Sequence, residues 1–280
     1  MSPGCARRHP STVGQWAARL GGVRQSAQLR LSFVADRIGR RQAGAPGQNT
    51  TLSGQGENME TVAQSSQSTG STFSRRGHIC AFFNSTDEQH RVLRPFVTEG
   101  FDQREKAFHL VDPDLREEHL RWLAEAGIDV PEAMSVGQLA VEPWQNGPLR
   151  PGRFDQDTWL ASFEQVLQSG PTAGYAQTRF LAHMEWALVD LPGVDDLIEF
   201  ETRVNYVVPK YGDAVICTYD LRKFSASVAM DALRTHPVVI IGGLLHENPF
   251  FVHPRQLLVE IRERRSGRAP LLLGGSLAGH

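Results

Sequence analysis

The sequence predicts an α/β fold, a mainly parallel sheet with helices on both faces. Three observations predict it. From residue 76 onward, short apolar runs alternate with longer stretches whose apolar residues recur at helical spacing. The short runs are apolar almost throughout, which marks strands covered on both sides. A chain of 280 residues with 40% hydrophobic content can fill the core that such a sheet needs. No internal repeat interrupts the pattern.

Each element follows from its own residues. Residues 78–83 (His-Ile-Cys-Ala-Phe-Phe) read as a buried strand, and 86–100 as a helix in which Ser85 and Glu88 fit a capping box. Pro95 falls inside that helix, so a bend or a later start is expected there. Residues 106–111 form a second strand. Asp112-Pro113 then opens a helix over 115–126, which Gly127 ends. A strand at 138–141 precedes a helix at 155–168, where Trp159, Phe163, Val166 and Leu167 share a face. Strands follow at 175–181, 214–219 and 238–241. Helices follow at 194–208, 225–233 and 254–264. Gly242-Gly243, Pro249 and Pro254 make 242–254 a stiff loop, either a rim over a site or an ordinary connection.

The two ends differ from this body. Residues 1–75 contain nine Arg, no Lys and three acids, a formal +6. The net charge of −2 leaves −8 for the remainder. Gln, Ser, Gly, Thr and Arg dominate 1–75, so this stretch reads as a disordered or spurious extension, with Met59 an alternative start. A short amphipathic helix within 16–38 and a transit-peptide character are the other readings of it. Residues 76–265 form the domain, and 266–280 a flexible tail. An acidic body argues against direct nucleic-acid binding, because phosphate neutralisation needs clustered Lys and Arg. No apolar run approaches the ~18–20 residues of a membrane span. Three Cys without a paired framework point to a reducing cytoplasm, with Cys80 and Cys217 as small buried hydrophobes.

The first strand-to-helix crossing is where a nucleotide-binding α/β protein carries its phosphate loop. Here it holds Asn84, Ser85, Thr86, Asp87 and Glu88, with no glycine and no lysine. Two carboxylates repel phosphate, and the capping box occupies the N–H groups that would hold it. Ligands in open α/β sheets bind beyond the carboxyl ends of the strands. That rule selects Asn84, Arg179, Glu185, Tyr219 and Asp220 among others, and with His236 they form the expected ligand-binding set. Asp220 ends an apolar strand as a Walker B aspartate does, but capping of the following turn is the stronger reading. No C-x-x-C or H-x-x-x-H pair supports a metal, and no G-x-S-x-G elbow supports a serine nucleophile. No catalytic residue, metal or cofactor is expected.

At several of these residues the chain resembles the MEDS family, the sensory domain named for methanogens, methylotrophs and a dichloromethane-responsive regulator. The matching pieces are His78–Phe83, Pro95-Phe96-Val97-Thr98-Glu99-Gly100, Gly127-Ile128-Asp129-Val130 and Gly152-Arg153-Phe154-Asp155. Arg179, Met184-Glu185-Trp186, Glu201 with Asn205, and Cys217-Thr218-Tyr219-Asp220 continue the series. The 234–237 and 242–254 stretches close it. The resemblance spans roughly 76–264. It implies a RecA-like fold that has lost its phosphate loop. It also implies a non-catalytic sensor of small molecules, with hydrocarbon derivatives proposed as ligands. Output would pass to a protein partner: a kinase, an anti-sigma factor or a transcription regulator. No helix-turn-helix pattern flanks the domain, so DNA binding by this chain is not expected. The rival readings are a nucleotide-binding RecA-like ATPase and a pure protein-interaction module.

Overall fold

The computed structural model describes residues 77–149 and 152–267. All of them belong to one unit of the chain. The expectations for 1–75 and for 268–280 lie outside the described residues.

Seven strands form one sheet in the order β3-β2-β4-β5-β1-β6-β7. Strands β1 (His78–Phe83), β2 (Lys106–Val111), β3 (Leu139–Pro143), β4 (Thr178–His183), β5 (Ala214–Asp220) and β6 (Val238–Ile241) run parallel. Strand β7 (Leu244–Glu247) is antiparallel at one edge. Every residue of β1, β2, β4 and β5 is buried, as their mainly apolar character favours, and their few polar residues are buried with them.

Helices cover both faces. On one lie α1 (Thr86–Asp102), α2 (Arg116–Glu125) and α3 (Val130–Ser135), whose Leu93, Phe96, Trp122 and Leu123 pack on Ile79, Leu181 and Ile216. On the other lie α4 (Gln156–Thr172), α5 (Leu197–Val204) and α6 (Ala226–Thr235), whose Trp159, Phe163, Phe200 and Leu233 pack on Phe108, Phe180 and Val215. A last helix, α7 (Pro254–Arg265), contacts α5 and carries Arg265 to Asp196 and Glu199, 2.6 Å in each case.

Helix α1 is continuous through Pro95, so neither a later start nor a break occurs. At its start Ser85 accepts from the Glu88 N–H at 3.1 Å. The Glu88 carboxylate accepts from the N–H of Asn84 at 2.8 Å, one residue before the one a standard capping box uses.

Three expectations need correction. The strand expected at 175–181 is Thr178–His183; Gly174 ends the preceding turn at φ 90°, and Thr178 and Arg179 enter the ladder beside Lys106 and Ala107. The helix expected at 194–208 is divided. Only Leu197–Val204 is α-helical, with short 3-10 turns at Val194–Asp196 and Val208–Lys210, where Pro209 has no N–H to continue the α-helix. The stiff loop after β6 contains β7. Gly242 and Gly243, at φ 59° and 78°, make a two-residue hairpin turn that requires left-handed backbone at both positions.

Candidate functional site

The site grows from an in-register strand pair. Strands β1 and β5 align Cys80 with Cys217 and His78 with Val215. Residues two apart on a strand share a face, so His78 and Cys80 point the same way as Cys217. They meet α5, whose buried stripe is Leu197, Phe200, Glu201 and Val204. A carboxylate thus replaces one apolar residue of the stripe, and Glu201 is 0% exposed. The fourth member, His236, ends α6 and is also 0% exposed. Asn248, in the loop after β7, fixes this corner by donating to the carbonyls of Leu233 and His236.

His78, Glu201, Cys217 and His236 each offer a ligand atom, all within 4.8 Å of one another. Glu201 Oε2 lies 3.2 Å from His78 Nε2 and 3.0 Å from His236 Nε2. Cys217 Sγ lies 3.5 Å from His78 Nε2 and 3.9 Å from Glu201 Oε1. The two imidazole rings pack at 3.9 Å between centroids.

The outer nitrogens each face an oxygen that can only accept, and His236 Nδ1 also lies 2.7 Å from the Thr235 hydroxyl. His236 Nδ1 lies 2.8 Å from the Ala232 carbonyl, and Thr235 Oγ1 donates to that same oxygen. His78 Nδ1 lies 3.3 Å from Asn205 Oδ1, whose amide nitrogen donates to the carbonyls of Glu201, Thr202 and Thr235. Both Nδ1 atoms therefore carry hydrogen, and both Nε2 atoms face the cluster. Glu201 Oε2 and His236 Nε2 have no hydrogen-bond partner despite their proximity. Their directions miss one another.

The cluster's charges are strongly biased. Burial opposes the Glu201 carboxylate, but the close approach of the His236 and His78 imidazoles outweighs it and holds the group at about 2. Burial and the neighbouring His236 lower His78 to about 4. Burial also disfavours charge on His236, yet Cys80, Cys217 and Glu201 raise it well above its ordinary value. Burial and Glu201 push the Cys217 thiol up to about 12.

Beside the cluster lies an apolar cavity of about 20 Å³, between the sheet and helices α4 and α5. Trp159, Phe163, Phe180, Trp186 and Phe200 line it, and Glu201 and Cys217 form part of its wall. That volume holds about one water. Two wider clefts, of about 240 and 250 Å³, open at Phe101–Glu132 and beside Gly242–Gly243. Neither is lined by a buried titratable side chain.

The six residues selected from the sequence do not share one pocket. Asn84 is exposed beyond β1 and bonds only to Glu88 through its side chain, at 3.4 Å. Asp220 caps its turn, accepting from the Arg222 N–H at 2.9 Å and pairing with that guanidinium at 2.7 Å. Glu185 lies 3.9 Å from Lys223, and burial raises its carboxyl. Tyr219 is buried, with an unpartnered hydroxyl and its ring 6.3 Å from that of His236. Arg179 is on the opposite face and at the amino end of β4, because the strand begins later than its apolar pattern suggests. There it pairs with Glu105, donates to the Phe96 carbonyl at 2.7 Å and lies over the Phe96 ring. Only His236, with Tyr219 nearby, belongs to the buried cluster. Sequence reasoning missed Glu201 as a site residue except through the family resemblance. The signal was a glutamate inside an apolar helical stripe, where a charge stays only with partners.

Such an arrangement defines a sheet protein with a polar cluster buried beneath one helical layer, beside a small apolar cavity. The chain belongs to the MEDS family: the model of the MEthanogen/methylotroph, DcmR Sensory domain matches residues 77–237. It therefore carries a sensory domain. Among curated proteins, the transcriptional repressor DcmR of Methylorubrum extorquens is 24% identical over 175 residues. The match covers 62% of this chain and 63% of that relative, so the chain spans less than two thirds of its length. Among solved structures, the KaiC-like protein PH0186 of Pyrococcus horikoshii OT3 aligns with TM-score 0.42 and 14% identity, over 59% of this chain and 70% of that one. The flagellar accessory protein FlaH of Methanocaldococcus jannaschii aligns with TM-score 0.42 and 15% identity, over 63% and 78%. No helix among the described residues is long and apolar enough to cross a membrane.

Proposed function

We propose that this chain is a non-catalytic sensory domain that binds a small, largely apolar metabolite or hydrocarbon derivative, and that it acts through a protein partner in transcriptional regulation. One observation carries the reading. The aromatic cavity beside Glu201 and Cys217 combines an apolar lining with a few fixed polar groups, which is how small-molecule pockets are built. At about 20 Å³ it is smaller than any carbon-containing ligand. Entry must therefore move α4 or α5 away from the sheet, and a ligand that prefers the opened form shifts the population toward it.

The crossing after β1 supports the non-catalytic part. Ser85 takes the Glu88 N–H at the helix start, the Glu88 carboxylate turns back onto the Asn84 N–H in the loop, and Asp220 is already paired with Arg222. Neither arrangement leaves a cradle for a triphosphate and its Mg²⁺.

Thermal shift with short alcohols, thiols and halogenated alkanes tests the reading. A compound at a hundred times its dissociation constant should add about 2.7 kcal/mol of stability. The substitution Ala182→Leu should fill the cavity and abolish that shift. Absence of a shift with every such compound would remove the ligand assignment. Mg²⁺-dependent ATP turnover that is lost in Asp220→Ala would replace it with the ATPase.

A further inference from the structure

We propose that His78, Glu201, Cys217 and His236 bind one zinc ion. Four observations converge. The donor set is two imidazole nitrogens, one sulfur and one carboxylate, which suits four-coordinate zinc. In a tetrahedral site with bonds of ~2.0–2.3 Å, ligand atoms are separated by roughly 3.3–3.7 Å. Three of the separations here, 3.0, 3.2 and 3.5 Å, lie close to that edge, and all four ligand atoms lie within 4.8 Å of one another, so drawing them onto one ion needs only small side-chain shifts.

The second observation is direction. His236 Nε2 and Glu201 Oε2 are buried and 3.0 Å apart, yet neither has a hydrogen-bond partner. Groups that converge on a common point between them have this geometry, whereas a simple ion pair would align N–H with oxygen. The third is the outer layer. Ala232 O and Asn205 Oδ1 each take an Nδ1 hydrogen, turning both Nε2 lone pairs inward. Metal-bound histidines are oriented in the same way. The fourth is the thiol. Cys80 occupies the partner position across β1 and β5, but its Sγ faces the Val238 carbonyl at 3.8 Å, outside the set. Cys80 acts on His236 from the side, while Cys217 is the cysteine whose sulfur belongs to the convergent set.

Loading is charge-balanced. The ion replaces the Cys217 proton and any proton held between the imidazoles and Glu201, and these leave to solvent. With the four groups nearly inaccessible, the ion enters as the chain folds. The assignment is independent of the sensing reading: an ion in this place can hold α5 and α6 to the sheet whether or not a ligand enters the cavity.

The test uses the full chain, produced with zinc supplied or refolded in its presence, and again with cobalt(II). Elemental analysis should give about one equivalent per chain. The cobalt form should show thiolate-to-cobalt charge transfer and the intense visible bands of a four-coordinate ion. Cys217→Ser, close in size, should lose the charge-transfer band and at least tenfold in affinity, while Cys80→Ser keeps both. Folded protein without stoichiometric metal after both routes would overturn the proposal. So would a charge-transfer band that survives in Cys217→Ser. If Cys217→Ser does not fold, the wild-type cobalt spectrum decides: bands without sulfur charge transfer refute the assignment.

Discussion

Acid should unfold this protein through histidines on the face opposite the cluster. His109 on β2, His119 on α2 and His183 at the end of β4 are 1%, 2% and 7% exposed. His109 Nδ1 and His119 Nε2 share a hydrogen bond of 2.8 Å, and Gln89 meets His183 at 3.0 Å. Burial and the charge of His183 lower His109 to about 3. Burial with His90 and Lys223 lowers His183 to about 4. Burial and the other three histidines hold His119 well below its ordinary value. All three are neutral in the folded protein, and in the unfolded chain each titrates near 6.5. The unfolded state therefore binds more protons below that value, and stability falls as pH drops from about 6.5 toward the folded values. Between pH 7 and pH 5 each such histidine costs about 2 kcal/mol, so the three together cost about 5–6 kcal/mol. That approaches the whole stability of many domains, about 5–15 kcal/mol. Denaturant unfolding followed by circular dichroism at both pH values measures the total. The double substitution His109→Leu with His119→Leu removes both halves of one hydrogen bond and should shrink the pH dependence by about 4 kcal/mol, leaving the His183 part in place. An unchanged pH dependence in the double variant, or imidazole resonances of the native protein titrating near 6.5, would refute the reasoning.

Three further outcomes follow from the packing. A Cβ at Gly193, where φ is 90°, would sit 2.2 Å from the Phe154 carbonyl, so Gly193→Ala should cost roughly 2–3 kcal/mol in a denaturant melt. Arg179→Leu strands Glu105 in a buried place and should cost about 3–5 kcal/mol, while the cobalt spectrum of the opposite face stays unchanged. Phe163→Ala should cost about 3–5 kcal/mol and enlarge the cavity, so that larger halogenated alkanes produce a thermal shift the native protein lacks.

The sheet was legible because its evidence is local. Buried parallel strands are apolar along most of their length, and 78–83, 106–111 and 238–241 carry that mark, with His78, Lys106 and His109 as the polar exceptions. Elements whose boundaries depend on their partners were harder. The run at 175–181 contains no residue that says where pairing starts; the ladder to β2 and β5 sets Thr178 as the first strand residue. Helix α3 is six residues long, too short for a period to show, and rests on the Asp129 cap and Pro131. Strand β7 has an exposed face and two exposed ends, so it lacks the apolar continuity of the other strands.

The cluster shows why a chemical site can be nearly invisible in the chain that makes it. Its four members lie on β1, α5, β5 and the end of α6, and no two fall within the spacing that metal motifs use. Proximity comes from the crossover order that seats β5 beside β1 and β6 on the other side of β1. His78 and Cys217 then share a face by register, and His236 arrives because it immediately precedes the Pro237 that leads into β6. Glu201 is the one member with a local signal, since an acid on the apolar stripe of a helix must meet a cation or a proton beneath it. The strand-end rule looked elsewhere because it describes where open sheets leave a crevice. Here the polar residues that rule selects at the ends of β5 and β1, Asp220 and Asn84, are engaged locally by Arg222 and Glu88. The polar chemistry has moved inward, under α5, where a change at the cluster or its cavity must be transmitted through the packing of that helix. Helix α5 also bears the Arg265 contacts from α7 and the Arg203 contacts to α4, so a shift of α5 reaches two other helices at the surface. Removing the α7 link by Arg265→Ala should leave cobalt binding intact and change only how α7 responds to a cavity ligand, read by hydrogen exchange of the Pro254–Arg265 amides. Equal exchange with and without ligand in the native protein would mean that α5 does not carry the signal.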